Sequence, residues 1–129
     1  MKLKSLQGIA NNLLESVISS YDFLNILYSI KNFSDDSFDD VSINILSKHI
    51  HPTTIKNDVI ENTINYYNKW FLTQIEKIGV PESVIKDIKI NINFSKSEDD
   101  KYQLQVLEIR IFANEKIFQS RRLIKTEIK

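Results

Sequence analysis

Cysteine is absent from the 129-residue chain, and its absence excludes several kinds of chemistry. The protein has no disulfide, no thiolate metal site and no cysteine nucleophile. A lack of disulfides is typical of a reducing compartment. No apolar run approaches the length that spans a membrane, and Gln7, Asn11, Asn12 and Glu15 interrupt the stretch where a signal peptide would be apolar. We therefore expect a cytoplasmic protein with no membrane contact.

Glycine and proline are scarce, with two of each in the chain. The sequence therefore has no glycine-rich loop that could cradle phosphate and no nucleophile elbow of the G-x-S-x-G type. Few tight turns are expected, so the regular elements are predicted to be long. These absences favour a protein that binds over one that catalyses, and we expect no cofactor.

Neither sign of charge is in excess, because 17 basic side chains balance 17 acidic ones. A net charge of zero argues against long-range attraction to a polyanion such as nucleic acid. The length and the 42% share of hydrophobic residues are those of one globular domain, which we place at 1–129. Abundant Ile, Lys and Asn indicate an A/T-rich, bacterial genome.

Two long helices are predicted from apolar residues that recur at helical spacing. The first covers 5–30, with Ser5 as its N-cap, and its apolar arc widens toward the C-terminal end. The second covers 54–78, with Thr54 as its N-cap, and Gly79 and Pro81 end it. A short helical turn is expected from Glu82 to Lys86.

The C-terminal third predicts an antiparallel meander of strands. Strands are expected at 88–94, 102–111 and 117–125, with a hairpin turn at Asn114–Glu115. The apolar alternation shifts by one position at Val106–Leu107, which predicts a β-bulge there. Residues 41–46 fit a strand or a helical face, and their Val and Ile favour a short strand.

The elements together predict an α+β fold. Its two long helices pack on one face of a three- or four-stranded antiparallel β-sheet.

The apolar surplus on both predicted helices suggests a protein-binding surface. Trp and Tyr dominate the energetics of protein interfaces, and a helix that is apolar nearly all round is buried on more than one side. The candidate partner-binding residues are Phe23, Ile26, Ile30, Tyr66 and Trp70. The alternative is that these side chains belong to the core of the monomer. Our first hypothesis is a non-enzymatic interaction module, an accessory, inhibitory or immunity-type subunit that binds a partner protein or another copy of itself.

A metal site is the second hypothesis, because His49 and His51 would point the same way on an extended segment. Two imidazoles are the start of a zinc site, in a metal-binding protein or a small metal-dependent enzyme, but a third ligand is needed. The acidic segment 31–40 does not match the ligand spacing of a calcium-binding loop. No sequence signature indicates a small-molecule ligand.

Nucleic-acid binding is the third hypothesis, based on Arg110, Arg121 and Arg122. We expect Arg110 and one of the other two to share the wet face of the sheet with Lys89, Asn91, Asn93, Gln103, Gln105 and Glu108. This predicted face has no aromatic side chain for base stacking, which argues for a solvated surface with cross-strand ion pairs.

Overall fold

A computed structural model describes residues 2–20, 23, 25, 40–46, 49–51 and 58–127 of the chain. A short 3₁₀ turn, Leu3–Ser5, precedes helix α1, Leu6–Ser19. A hairpin of β1, Asp40–Asn44, and β2, His49–His51, comes before helix α2, Asp58–Lys77. A second 3₁₀ turn, Glu82–Val84, leads into β3, Ile85–Lys96, which is followed by β4, Tyr102–Ala113, and β5, Lys116–Glu127.

The described strands form one antiparallel sheet in the order β2-β1-β3-β4-β5. The predicted α+β class and the C-terminal meander are confirmed. The sheet has more strands than predicted, because 41–46 contributes β1 and the histidine segment pairs back on it as β2. Ser97 and Asp99 order the β3–β4 turn, in which the Ser97 hydroxyl donates to Asp99 at 2.7 Å and Asp100 takes a φ of 57°.

The first helix is shorter than the sequence suggested, because α1 ends at Ser19. Ser20 has a φ of −95° and a ψ of 86°, which is outside the helical region. Adjacent serines weaken a helix because their hydroxyls compete for backbone groups. The prediction of one unbroken helix over 5–30 is therefore wrong at Ser20, and most of 21–39 lies outside the described residues.

The second helix confirms its prediction over 58–77, while Thr54 lies outside the described residues. Its C-terminus is a Schellman motif. Gly79 has a φ of 70°, its N–H donates to the Glu76 carbonyl at 3.1 Å, and the N–H of Val80 donates to that of Ile75 at 2.9 Å. None of the helices in the described ranges is long and apolar enough to cross a membrane.

The pairing of β3 with β4 is continuous through Val106 and Leu107, so the bulge predicted there is wrong. The register shift lies instead between Ile85 and Asp87, at the start of β3. Without a bulge, successive residues of β4 keep alternating between the two faces of the sheet. The apolar shift at Val106–Leu107 therefore means that both faces of β4 carry apolar side chains.

The core lies between the two helices and one face of the sheet. Ile90 and Ile109 are opposite each other in the register, and both are fully buried. The same face carries further buried apolar strand residues: Val41, Ile43, Ile85, Ile88, Ile92, Phe94, Leu107, Ile111 and Ala113. Helix α1 covers this face over β4 and β5, while α2 reaches the β1 side, where Asn68 donates to the Ile45 carbonyl at 3.2 Å.

Candidate interaction surface

The other face of the sheet is not crossed by either described helix. We call it the open face. It is defined by strand residues that alternate with the buried ones: Ser42, Asn44, Lys89, Asn91, Asn93, Ser95, Tyr102, Leu104, Val106, Glu108, Arg110, Phe112, Ile117, Gln119, Arg121, Leu123, Lys125 and Glu127. Their common orientation follows from cross-strand pairing, because paired residues place their side chains on the same face.

A cluster of charges occupies the centre of the open face. The Glu108 carboxylate lies 2.5 Å from Nε of Arg110 and 3.4 Å from Nε of Arg121. Glu108 is 8% exposed although no described helix covers it. A carboxylate so poorly hydrated is stabilised by the two cationic neighbours that share it.

Two aromatic rings lie toward the two ends of the open face, and a lysine ammonium group lies over each ring. Nζ of Lys125 lies 4.0 Å from the centre of the Tyr102 ring, and Nζ of Lys89 lies 5.5 Å from that of Phe112. Both distances are within the range of cation–π attraction. The Tyr102 and Phe112 rings are half-buried, which leaves part of each open to solvent.

Exposed apolar side chains continue the open face onto β5. Leu123 is 57% exposed and lies opposite Val106 in the register, and Ile117 is 54% exposed and lies opposite Phe112. Between these apolar ends, the open face has a depression of about 380 Å³. Its lining includes Lys89, Asn91, Asn93, Glu108, Arg121 and Phe112.

The three arginines named by the sequence do not share one surface. Arg110 and Arg121 meet at Glu108, as the hypothesis of a shared face requires. Arg122 is on the helix side of β5, where it forms an ion pair with Glu15 of α1. Alternation along the strand explains the separation, because adjacent residues point to opposite faces. Arg122 therefore attaches α1 to the sheet and does not belong to the open face.

Of the predicted partner-binding residues, Phe23 lies in the core. Its exposure is 1%, and its ring meets that of Tyr67 edge-on at 5.8 Å. Trp70 is partly buried and packs against the core. Tyr66 is 61% exposed and borders a groove between α1 and α2. Ile26 and Ile30 lie outside the described residues, so the structure brings Tyr66 alone of this set to the surface it describes.

The two histidines of the metal hypothesis lie on β2. The backbone of His49 pairs with that of Asn44, and the backbone of His51 pairs with that of Ser42. Their side chains are outside what the structure describes. Among the described residues there is no group of three or more His, Asp or Glu that could hold a metal ion. Metal binding by His49 and His51 stays a prediction.

Of the β4 residues predicted on the wet face, Glu108 and Arg110 are on the open face, but Gln103 and Gln105 are not. Gln105 lies opposite Phe94 and therefore on the helix side, and the register places Gln103 on that side too. The open face instead holds Tyr102, Leu104 and Val106. The sequence contained the information, because counting every second residue from Glu108 toward the start of β4 gives Val106, Leu104 and Tyr102. The predicted bulge hides this information, because it would keep every apolar residue on one side.

Comparisons of the chain with protein-family models, curated proteins and solved structures find no match.

Proposed function

We propose that the protein is a non-enzymatic protein-binding module, an accessory, inhibitory or immunity-type subunit that receives its partner on the open face of the sheet. One observation carries the proposal. Leu123 and Ile117 are exposed large apolar side chains, and they flank half-buried Val106 and Phe112 on a face that no described helix covers. These two apolar pairs lie on either side of the charged cluster around Glu108, and exposed apolar surface bordered by polar groups is typical of interaction sites.

The chemistry of the open face supports binding of a protein. Arginine and aromatic residues are enriched at the centres of protein interfaces, and here Arg110, Arg121, Tyr102 and Phe112 lie on the same side of the sheet. Both arginines contact Glu108, and a lysine ammonium group lies near each ring. Side chains that are already ordered lose little conformational entropy when a partner binds.

A pull-down from the native host tests the proposal. The tagged chain is compared with a double variant, Ile117→Glu with Leu123→Glu, and with the control Asn12→Glu on the exposed surface of α1. We expect a stoichiometric protein partner with the wild type and the control, and its loss from the double variant. Thermal unfolding of all three verifies that the variants are folded. Recovery of the wild type alone as a monomer, or a partner retained by the double variant, would contradict the proposal.

Nucleic-acid binding is a second candidate, and a specific observation now favours it. The open face presents Tyr102 and Phe112 beside Lys89, Arg110, Arg121 and Lys125, whereas the sequence suggested no aromatic residue there. Aromatic rings beside cations are what single-stranded nucleic acid uses for stacking and phosphate contact.

Binding to short single-stranded RNA distinguishes the two candidates. If the second is correct, affinity falls steeply with added salt, because phosphate contacts release counterions. It also falls in Phe112→Leu, which keeps the apolar volume but removes the ring. No binding at low ionic strength would eliminate this candidate and leave the protein partner in place.

A further inference from the structure

Strand β5 ends the sheet, and the structure describes no strand beyond it. The hairpin register closes at Ala113 opposite Lys116, around the two-residue turn Asn114–Glu115. In such a hairpin the closing pair exchanges both backbone hydrogen bonds, and bonded pairs alternate with unbonded ones. The odd-numbered residues of β5 therefore direct their N–H and C=O groups away from β4.

One contact confirms this direction. The side chain of Gln7 in α1 donates to the backbone carbonyl of Gln119 at 2.7 Å, on the outer side of the strand. Gln7 thereby occupies the outward carbonyl of Gln119. Within the described part of the chain, no hydrogen bond is made to the outward backbone groups of Arg121, Leu123 and Lys125 in the second half of the strand, 121–127. An outward row of donors and acceptors is a template for another strand.

The charges of β5 indicate what kind of strand fits. The strand carries four basic side chains, Lys116, Arg121, Arg122 and Lys125, and one acidic side chain, Glu127. A second copy of this chain fits poorly, because the segment 121–127 carries three basic side chains and one acidic side chain, so two such segments side by side bring an excess of like charge together. Like charges opposite each other in a sheet are destabilising, whereas opposite charges stabilise it.

We infer that the outer edge of β5 at 121–127 binds an extended acidic segment of a partner protein, which adds a sixth strand to the described sheet. This inference rests on the proposed function and specifies the form of the partner. The odd-numbered residues supply the backbone hydrogen bonds, and their side chains lie on the open face. The acidic residues of the partner strand then lie beside Arg121 and Lys125, and an apolar residue lies beside Leu123.

Phage display with random peptides of 12 residues, the length of β5, tests the inference on the full chain. We expect the selected peptides to be rich in Asp and Glu at alternate positions. Their binding is compared in Leu123→Pro and Leu123→Ala, which both remove the leucine side chain, although only proline removes the outward N–H. We expect the proline variant to bind about fivefold more weakly than the alanine variant, which is the size of one backbone hydrogen bond.

Amide hydrogen exchange in the wild type gives a second measurement that needs no variant to fold. The N–H groups of Arg121, Leu123 and Lys125 are expected to exchange quickly in the free protein and at least about fivefold more slowly with the strongest selected peptide bound. The N–H groups of Ser120 and Arg122 pair with β4, so they serve as slow internal references.

Three results would overturn the inference: no selected peptides, selected peptides without acidic residues, or unchanged exchange at the three outward amides. The proposed function is judged separately by the pull-down. In one outcome, a partner is released by the double variant on the open face and is still retained by Leu123→Pro. That result would support the proposed function and contradict strand pairing at the edge of β5. Selected peptides that pair with the edge, together with no partner in the host, would uphold the inference and contradict the proposed function.

Discussion

The two faces of the sheet share the same three long strands but differ in what covers them. On the helix side, Ile90 and Ile109 are fully buried beneath α1 and α2. On the open face, the cross-strand neighbours Val106 and Leu123 are half-buried and 57% exposed, respectively. Apolar side chains on the first face stabilise the monomer. Those on the second gain much less from folding, because most of the solvent contact of Leu123 remains.

Under the proposed function, this difference separates residues that stabilise the fold from residues that bind the partner along the same strands. The buried residues of the helix side are mostly branched aliphatic, whereas the open face mixes aromatic rings, arginines and the buried carboxylate of Glu108. The open face therefore has the composition of an interface and the helix side that of a core. Substitutions at neighbouring positions of one strand should consequently have very different effects.

The largest effect is expected from Ile109→Ala on the helix side. Ile109 is fully buried between Ile90 and Ser120 in the register, so truncation removes apolar contacts and leaves a cavity. We expect the free energy of unfolding to fall by about 3 kcal/mol, the usual cost of such a truncation. Urea denaturation measures it. A loss below about 1 kcal/mol, the range of many surface changes, would mean that this face is not the core.

A smaller loss is expected from Glu108→Gln at the centre of the open face. The substitution removes the charge that Arg110 and Arg121 share and leaves two guanidinium groups close together. Because the side chains of Arg110 and Arg121 are 41% and 62% exposed, we expect a loss of about 1–2 kcal/mol, less than for a fully buried pair.

The matched variant Arg121→Gln breaks one of the two contacts from the exposed side. It should cost less than about 1 kcal/mol, as is usual for exposed ion pairs. Equal losses in Glu108→Gln and Arg121→Gln, measured by urea denaturation, would show that the two arginines do not share the carboxylate.

The sequence predicted the helix side of the sheet better than the open face. The alternation of apolar and polar residues identified Ile88, Ile90 and Ile92 as core residues, because their neighbours on β3 are polar. On β4 both faces carry apolar residues, so the hydrophobic pattern no longer distinguishes inside from outside. The preference for a single apolar face then led to a bulge that the chain does not have. A sheet with apolar side chains on both faces misleads this reasoning in general, because the pattern alone does not say which face the helices cover.

The same limit applies to β2. Its segment His49–His51 has a single apolar residue and precedes Pro52, so local pattern gave no sign of a strand. The segment is a strand because its backbone pairs with Asn44 and Ser42 of β1. Such pairing is a tertiary effect that propensity does not include.

High pH is expected to weaken the helix side through Tyr67. Burial raises the pKa of the Tyr67 phenol above its ordinary value of 10.0, while a hydrogen bond with Ser16 opposes the shift and Tyr66 adds to it. The folded state therefore holds this proton more tightly than the unfolded chain. Its contribution to stability is complete below pH 10.0 and is lost as the pH rises through the raised value.

Tyr67→Phe tests this effect, because it removes the ionisable group and keeps the ring against Phe23. Chemical denaturation is measured at increasing pH in the wild type and the variant. We expect a shallower loss of stability in the variant at alkaline pH. The loss of the Ser16 hydrogen bond shifts the variant at every pH, so the two slopes are compared. Parallel curves would mean that Tyr67 is hydrated in the folded state.

The smallest effect on stability is expected from Leu123→Ala on the open face. Leu123 keeps most of its solvent contact after folding, so truncation should cost less than about 0.5 kcal/mol, in the range of surface substitutions. The same variant should bind the partner more weakly, because a truncated interface residue loses contacts that form only in the complex. Urea denaturation and affinity measurement on one sample separate the two effects. If Leu123→Ala destabilises the protein as much as Ile109→Ala does, the Leu123 side chain contributes to the folded chain itself. That result would contradict the proposal that the open face is an interface.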